Sequence, residues 1–79
     1  HGIRVIRTTA PAGGESPMHS HGAGVAVSLT DQKTIHTSQS GEVTKVNLKA
    51  GSMSWRGEVT HSGKNINDID LEVILFELM

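Results

Sequence analysis

The sequence predicts an all-β protein built from short antiparallel strands. Runs rich in Val, Ile, Thr and Leu are separated at regular intervals by Gly, Asn, Asp and Ser, which is the spacing of strands joined by tight turns. No stretch repeats apolar residues with the helical period over three turns. With 79 residues, the chain is expected to form one domain, residues 1–79.

Alternation and turn residues divide the chain into seven predicted strands. Val25, Val27 and Leu29 alternate with small residues, which is the period of a half-buried strand. Glycine- and proline-containing loops separate the strands, and the segment 57–65 is predicted as a loop before the last one. In chain order, the predicted strands cover residues 3–9, 18–21, 25–30, 34–38, 43–48, 53–56 and 69–78. This pattern is typical of a sandwich, a jelly roll or a small barrel.

The last predicted strand has apolar residues on both faces, because Val73, Ile74, Leu75 and Phe76 are consecutive. One face can fill the interior, while the other would meet water in a monomer at a cost of about 1.5–3 kcal/mol per large side chain. A chain this short without cysteine has no disulfide to support it. We therefore expect a homodimer that covers this face, the alternative being another strand of the same sheet.

Charge and composition exclude two classes of partner. The net charge is −1, and Trp55 and Phe76 are the only aromatic residues among Phe, Tyr and Trp. Nucleic-acid binding normally needs a basic surface and stacking platforms, so no nucleic-acid partner is expected. No apolar run has membrane-spanning length and no signal-peptide pattern is present. No membrane partner is expected, and a cytoplasmic location is the default expectation.

Three histidines form a candidate metal site. His19 and His21 are separated by one residue in an extended segment, so their side chains point the same way. His61 could supply a third nitrogen from elsewhere in the fold. Three neutral imidazoles with an open position suit a divalent transition metal such as Zn, Fe, Mn, Ni or Cu. The alternative is a metal-free polar pocket in which the histidines bond to each other or to water.

Two segments around these histidines resemble a known family. Gly13, then five residues, then His19-Ser20-His21 is similar to the first cupin motif, and the second is matched by Gly51, Trp55, Gly57, His61 and Asn65. The resemblance covers nearly the whole chain, and is strongest to small single-domain bacterial cupins. It implies a small jelly-roll barrel with a metal site of three histidines. The glutamate that usually follows the first motif falls on Val25 or Ala26, so the common site with an acidic fourth ligand is not expected.

Other residues receive structural or pocket roles. Met53 and Trp55 alternate with Ser54 and Arg56, and both are expected to point into the barrel as pocket walls. His36 is expected to face solvent, since Ile35 beside it should face inward. Arg56 and Glu58 flank His61 in sequence and could orient a ligand, although charges in such turns are usually solvated.

Three functions remain open from the sequence. The first is a metal-dependent enzyme of the oxygenase, isomerase or lyase type that acts on a small-molecule substrate. The second is a non-catalytic cupin that binds a small-molecule ligand, without metal, as a sensor or carrier. The third is an interaction domain that works through its dimer surface. The absence of an obvious carboxylate near the histidines, other than Glu58, counts against the first.

Overall fold

The computed structural model of the chain describes residues 2–79. They form eight β-strands and no helix, so this part of the chain has no helix able to cross a membrane. In chain order the strands are Ile3–Ala10 (β1), Glu15–His21 (β2), Gly24–Ser28 (β3), Gln32–Ser38 (β4), Val43–Leu48 (β5), Met53–Arg56 (β6), Val59–Asn65 (β7) and Leu71–Leu78 (β8). The all-β prediction is confirmed.

The strands form two antiparallel sheets. The first sheet has the order β1-β8-β3-β6, and the second has the order β2-β7-β4-β5. The pairs are nested like one long hairpin, β4 with β5, β3 with β6, β2 with β7 and β1 with β8. Successive pairs fall alternately in the two sheets. A doubled chain rolled in this way is a jelly roll, which decides between the three all-β architectures.

The prediction of a loop over residues 57–65 is wrong. Most of that segment is β7, which pairs with β2 on one side and with β4 on the other. The buried residues of β7 are His61 and Asn65. Strands are recognised in a sequence by alternating apolar residues. The inward positions of β7 are polar, so this strand could not be recognised from the sequence.

The last strand has two apolar faces, as predicted. Leu71 and Leu75 are buried on the inner side of β8. Ile74 and Phe76 lie on the opposite face, and Phe76 is 39% exposed. The first sheet therefore presents apolar side chains to the interior and to the outside.

The interior contains few fully buried apolar residues. Those in the described chain are Ala26, Leu71 and Leu75, whereas the buried polar residues are Ser28, Gln32, Thr34, His61, Asn65 and Glu77. Buried polar groups are costly unless they are hydrogen-bonded. The space between the sheets is therefore a polar site with an apolar wall rather than a conventional core.

Asn65 joins two loops at one end of the molecule. It is 2% exposed, and its Nδ2 donates to the carbonyl oxygens of Ala10 at 3.2 Å, Pro11 at 3.2 Å and Ile69 at 3.0 Å. Its Oδ1 accepts from the backbone N–H of Asn67 at 3.0 Å. These bonds connect the β1–β2 turn to the β7–β8 loop, so Asn65 has a structural role.

Candidate metal centre

Strands β2 and β7 place two histidines opposite one another. His19 and His61 are cross-strand partners, so their side chains share the inner face of the second sheet. The register of β2 shifts between Ser16 and His19, next to Pro17, which has no N–H for the ladder. His21 follows two residues later on the same face. The bulge thus sets where the first histidine points.

The three predicted ligands meet in a compact cluster. The ring centroid of His19 lies 4.6 Å from that of His21 and 4.8 Å from that of His61, and the last two are 5.6 Å apart. One ring nitrogen from each lies within 4.8 Å of the others. Three nitrogens bound tetrahedrally to one ion at about 2.1 Å lie about 3.4 Å apart. The rings would need to close by up to about 1.4 Å to share an ion.

The hydrogen bond of His19 fixes its tautomer. Its Nδ1 lies 2.7 Å from the carbonyl oxygen of Pro17, which can only accept, so Nδ1 carries the proton and Nε2 carries the lone pair. Histidines that bind metals usually donate their other ring N–H to a carbonyl or carboxylate. His19 already has this arrangement.

A fourth histidine, His36, forms a hydrogen bond with the ring of His61. His36 Nδ1 lies 3.1 Å from His61 Nδ1, and His36 Nε2 lies 3.0 Å from Thr34 Oγ1. Thr34 Oγ1 accepts from Gln32 Nε2 at 3.0 Å, and Gln32 Oε1 accepts from Ser28 Oγ at 3.0 Å. When His61 Nδ1–H donates to His36 and His36 Nε2–H donates to Thr34, His61 Nε2 is left with a lone pair.

The expectation that His36 faces solvent is wrong. The inward residues of β4 are Gln32, Thr34 and His36, and Ile35 lies on the other face. The expectation rested on an apolar interior, which would have drawn Ile35 inward. Here the interior is polar at this position, because His36 bonds to His61. The alternation of polar residues along β4 was the only signal of this role.

The electrostatic environment keeps the imidazoles neutral. Burial lowers the pKa of His61 to about 4, with the positive charges of neighbouring residues as smaller causes. Burial also lowers the pKa of His21 and of His36. Only a neutral imidazole can coordinate a metal ion. His21, His36 and His61 are therefore neutral at neutral pH, which is the state that His21 and His61 need to bind a metal.

The cluster opens into a cavity of about 420 Å³ between the sheets. Its apolar wall comes from both sheets and includes Leu48, Leu71, Val73 and Leu75. Its polar side contains the three histidines of the cluster, His36 and Arg56. The volume is in the range of cavities that bind small molecules.

The expected orientation of β6 is reversed. Met53 is 73% exposed and Trp55 is 64% exposed, whereas Ser54 and Arg56 are half-buried. Met53 does not line the cavity, whereas Trp55 is one of the residues that line it, as expected, although its side chain is largely exposed. The outer face of the first sheet is itself apolar, so an apolar residue on β6 need not face inward. Arg56 does face inward, while Glu58 is exposed.

A buried carboxylate lies near the cluster but is fully engaged. Glu77 Oε2 accepts from Arg4 Nη2 at 2.8 Å and from Arg4 Nε at 3.1 Å. Its Oε1 accepts from the backbone N–H of Gly22. That backbone bond, and then Arg4, lower the pKa of Glu77. Within residues 2–79, the group that could hold a metal consists of three imidazoles without a carboxylate, which is the three-histidine set expected from the sequence.

Comparison with solved structures identifies the superfamily. A cupin domain from Bordetella pertussis Tohama I matches over 100% of this chain and 83% of its own, with a TM-score of 0.89 and 25% sequence identity. The chain is a small cupin-superfamily protein. His19 and His21 lie in the segment that resembles the first cupin motif, and His61 lies in the segment that resembles the second.

Two further structures share the fold. The DMSP lyase DddQ from Ruegeria pomeroyi DSS-3 has a TM-score of 0.63 and 15% identity, over 98% of this cupin and 39% of the lyase. A predicted oxalate decarboxylase from Thermotoga maritima has a TM-score of 0.55 and 23% identity, over 95% of this cupin and 65% of the decarboxylase chain. At these identities the likeness is one of fold alone. No protein-family model and no curated protein sequence matches this cupin.

Proposed function

We propose that this cupin is a metal-dependent enzyme that acts on a small molecule. His19, His21 and His61 would hold a divalent transition metal, one of Zn, Fe, Mn, Ni or Cu. The observation that carries the proposal is the convergence of three ring nitrogens within 4.8 Å, with the first ring already oriented by a carbonyl. A metal bound there would offer an open position that binds substrate or acidifies a water.

The residues around the centre would bind and orient the substrate. The cavity of about 420 Å³ holds the apolar part of a small molecule against Leu71, Val73 and Leu75, and excludes water from it. His36 keeps His61 in one orientation through their shared hydrogen bond. The same fold occurs in a DMSP lyase and in a predicted oxalate decarboxylase, so it is compatible with chemistry of the lyase type.

A non-catalytic small-molecule-binding cupin is the second candidate. Glu15 is the one carboxylate among the described residues that line the cavity. It is 73% exposed and lies 3.9 Å from Lys64. Glu77 is held by Arg4 and Gly22. Since neither carboxylate is placed for proton transfer, a sensor or carrier that uses the same cavity without metal accounts for the polar wall equally well.

Metal content after reconstitution distinguishes the two candidates. Untagged protein is stripped with a chelator, incubated separately with Mn, Fe, Ni, Cu and Zn, and analysed for bound metal after desalting. The enzyme proposal expects near-stoichiometric binding of at least one of the five. If no metal is retained in any preparation, the enzyme proposal fails and the metal-free binding function takes its place.

We also propose that two copies pack through the outer face of the first sheet. Val5, Phe76, Val25 and Trp55 are successive cross-strand partners and form one apolar row across all four strands. Val5 is 60% exposed and Trp55 64% exposed. A second row contains Ile74, Val27 and Met53. The broad face of the molecule measures 38 by 30 Å, which exceeds the ~800 Å² that each partner of a stable complex contributes.

Sedimentation of the wild type and of Phe76→Lys tests the homodimer. At high micromolar concentration we expect the wild type at twice the 8.4 kDa mass of the chain, and the variant as a monomer. Val43→Lys is the matched control, because Val43 is 63% exposed on the second sheet. This variant should remain dimeric. A monomeric wild type, or a Phe76→Lys protein that still dimerises, would refute the proposed interface.

A further inference from the structure

Arg56 is a positive charge inside the barrel. It ends β6 on the inward face, where it is half-buried and lines the same cavity as the histidine cluster. Its charge contributes to the lowered pKa values of His21, His36 and His61, behind burial in each case. The guanidinium remains protonated in proteins. A permanent cation therefore faces a set of neutral imidazoles.

No side chain of residues 2–79 neutralises Arg56. It has no ion pair and no side-chain hydrogen bond in this part of the chain, and the three ion pairs found there involve the other cations Arg4, Arg7 and Lys64. A half-buried charge without a partner is unfavourable. The cavity side of the guanidinium is thus available to an anion from outside the chain.

Glu77 is a carboxylate on the same face as Arg56, but other groups already bind it. Glu77 and Arg56 both pair in register with Gly24, so they lie on the same face two strands apart. Gly24 has no side chain to separate them. However, Arg4 binds one oxygen of Glu77 and the Gly22 N–H binds the other. Arg4 satisfies the carboxylate, so Arg56 is left for a ligand.

We propose that Arg56 anchors the carboxylate of a small organic acid whose other end reaches the histidine centre. This inference rests on the proposed function of that centre and names the class of substrate or ligand. The planar guanidinium fork matches a carboxylate with two parallel hydrogen bonds. A single Arg balances one negative charge, which favours a carboxylate over a phosphate dianion.

The rest of the cavity indicates the body of the acid. The apolar residues that line the cavity include Val46, Leu48, Leu71, Val73 and Leu75, which would contact a short apolar chain. Lys64 also lines the cavity but lies 3.9 Å from Glu15 and is half exposed. The arrangement fits a monocarboxylate with a short aliphatic or similarly apolar segment.

NMR titration with a matched acid and amide tests the inference. Butanoate and butanamide have the same apolar body and differ in charge. We expect butanoate to shift the Arg56 Nε–Hε signal of the zinc-treated wild type, and to bind roughly 10-fold to 100-fold more tightly than butanamide. Arg56→Gln should lose this preference, Arg56→Lys should keep part of it, and Arg7→Gln on the outer face should keep all of it.

The two proposals fail in different ways in this experiment, since bound zinc is measured in each sample. Zinc retained by the wild type without any response of Arg56 to butanoate overturns the carboxylate site and leaves the metal centre standing. A selective response to butanoate in protein that retains no zinc supports the carboxylate site, and the metal centre is then decided separately by reconstitution with the other four metals. Equal binding of butanoate and butanamide by the wild type, or unchanged preference in Arg56→Gln, also overturns the carboxylate site.

Discussion

Asn65→Ala should lower the free energy of unfolding by about 2–4 kcal/mol. The substitution leaves the carbonyl oxygens of Ala10, Pro11 and Ile69 without the donor that Nδ2 provides. Buried acceptors without a partner cost more than the net value of the bonds that are lost. In a domain of this size the effect corresponds to a fall in Tm of roughly 10–25 °C.

Asn65→Asp separates hydrogen bonding from side-chain volume. It keeps the shape of Asn65 but places a carboxylate against the same three carbonyl oxygens, so its destabilisation should equal or exceed that of the alanine variant. Asn47→Ala is the control, because Asn47 is exposed on β5 and should change stability by less than about 0.5 kcal/mol. Thermal and urea denaturation measure all three. An Asn65→Ala protein as stable as the Asn47→Ala control would contradict the assigned role.

Loss of a histidine from the cluster should have the second large effect. His61→Ala removes one of the three ligands, and we expect zinc affinity to fall by more than roughly 100-fold. A loss of about 100-fold is the upper range for substitution of residues that only hydrogen-bond to a ligand. His36→Phe keeps the ring volume but removes the nitrogen that meets His61 at 3.1 Å. It should weaken zinc binding by about 10-fold to 100-fold.

The relative loss of zinc affinity in these two variants distinguishes a metal ligand from a residue that only positions one. Competition titrations with a chromophoric zinc chelator give both affinities, and circular dichroism checks that each variant is folded. The arrangement requires His61→Ala to be the weaker binder. If His36→Phe lost zinc as completely as His61→Ala, then His36 would be a ligand itself and the centre would be assigned to the wrong residues.

The backbone pattern of this cupin is largely readable from its sequence. Turn glycines separate strands correctly at three positions, since Gly13, Gly41 and Gly51 have φ of 75°, 91° and 87°, which glycine adopts without strain. Gly63, which falls in the segment predicted as a loop, lies within β7 instead. A Cβ there would lie 3.3 Å from Ser16 Oγ and 3.7 Å from the His36 ring, so close neighbours explain this glycine.

The faces of the strands were harder to predict than the strands themselves. Period-two reasoning assigns the apolar side of a strand to the interior, and this works for β8, where Leu71 and Leu75 are buried. It fails for β4 and β6, where His36 and Arg56 point inward. At both positions the interior is a polar site, and for β6 the outer face of the first sheet is apolar as well. Nothing local in the sequence distinguishes such an inverted strand from an ordinary one.

Part of the candidate site could be predicted from the sequence alone. The spacing of His19 and His21 places both on one face of a strand, and the structure brings them to His61. The support of His61 by His36 depends on the pairing of β4 with β7, in which His36 stands opposite Gly63. Pairing between strands distant in sequence is not encoded in local spacing, so that contact could not be predicted.

X-ray absorption at the zinc edge tests the central claim most directly. For zinc-loaded wild type we expect three imidazole nitrogens at about 2.0–2.1 Å, with the outer-shell scattering of intact rings. His61→Ala loaded at high zinc concentration should have one imidazole fewer. A first shell of oxygens with no imidazole scattering, or a spectrum unchanged by His61→Ala, would contradict a metal centre built from His19, His21 and His61.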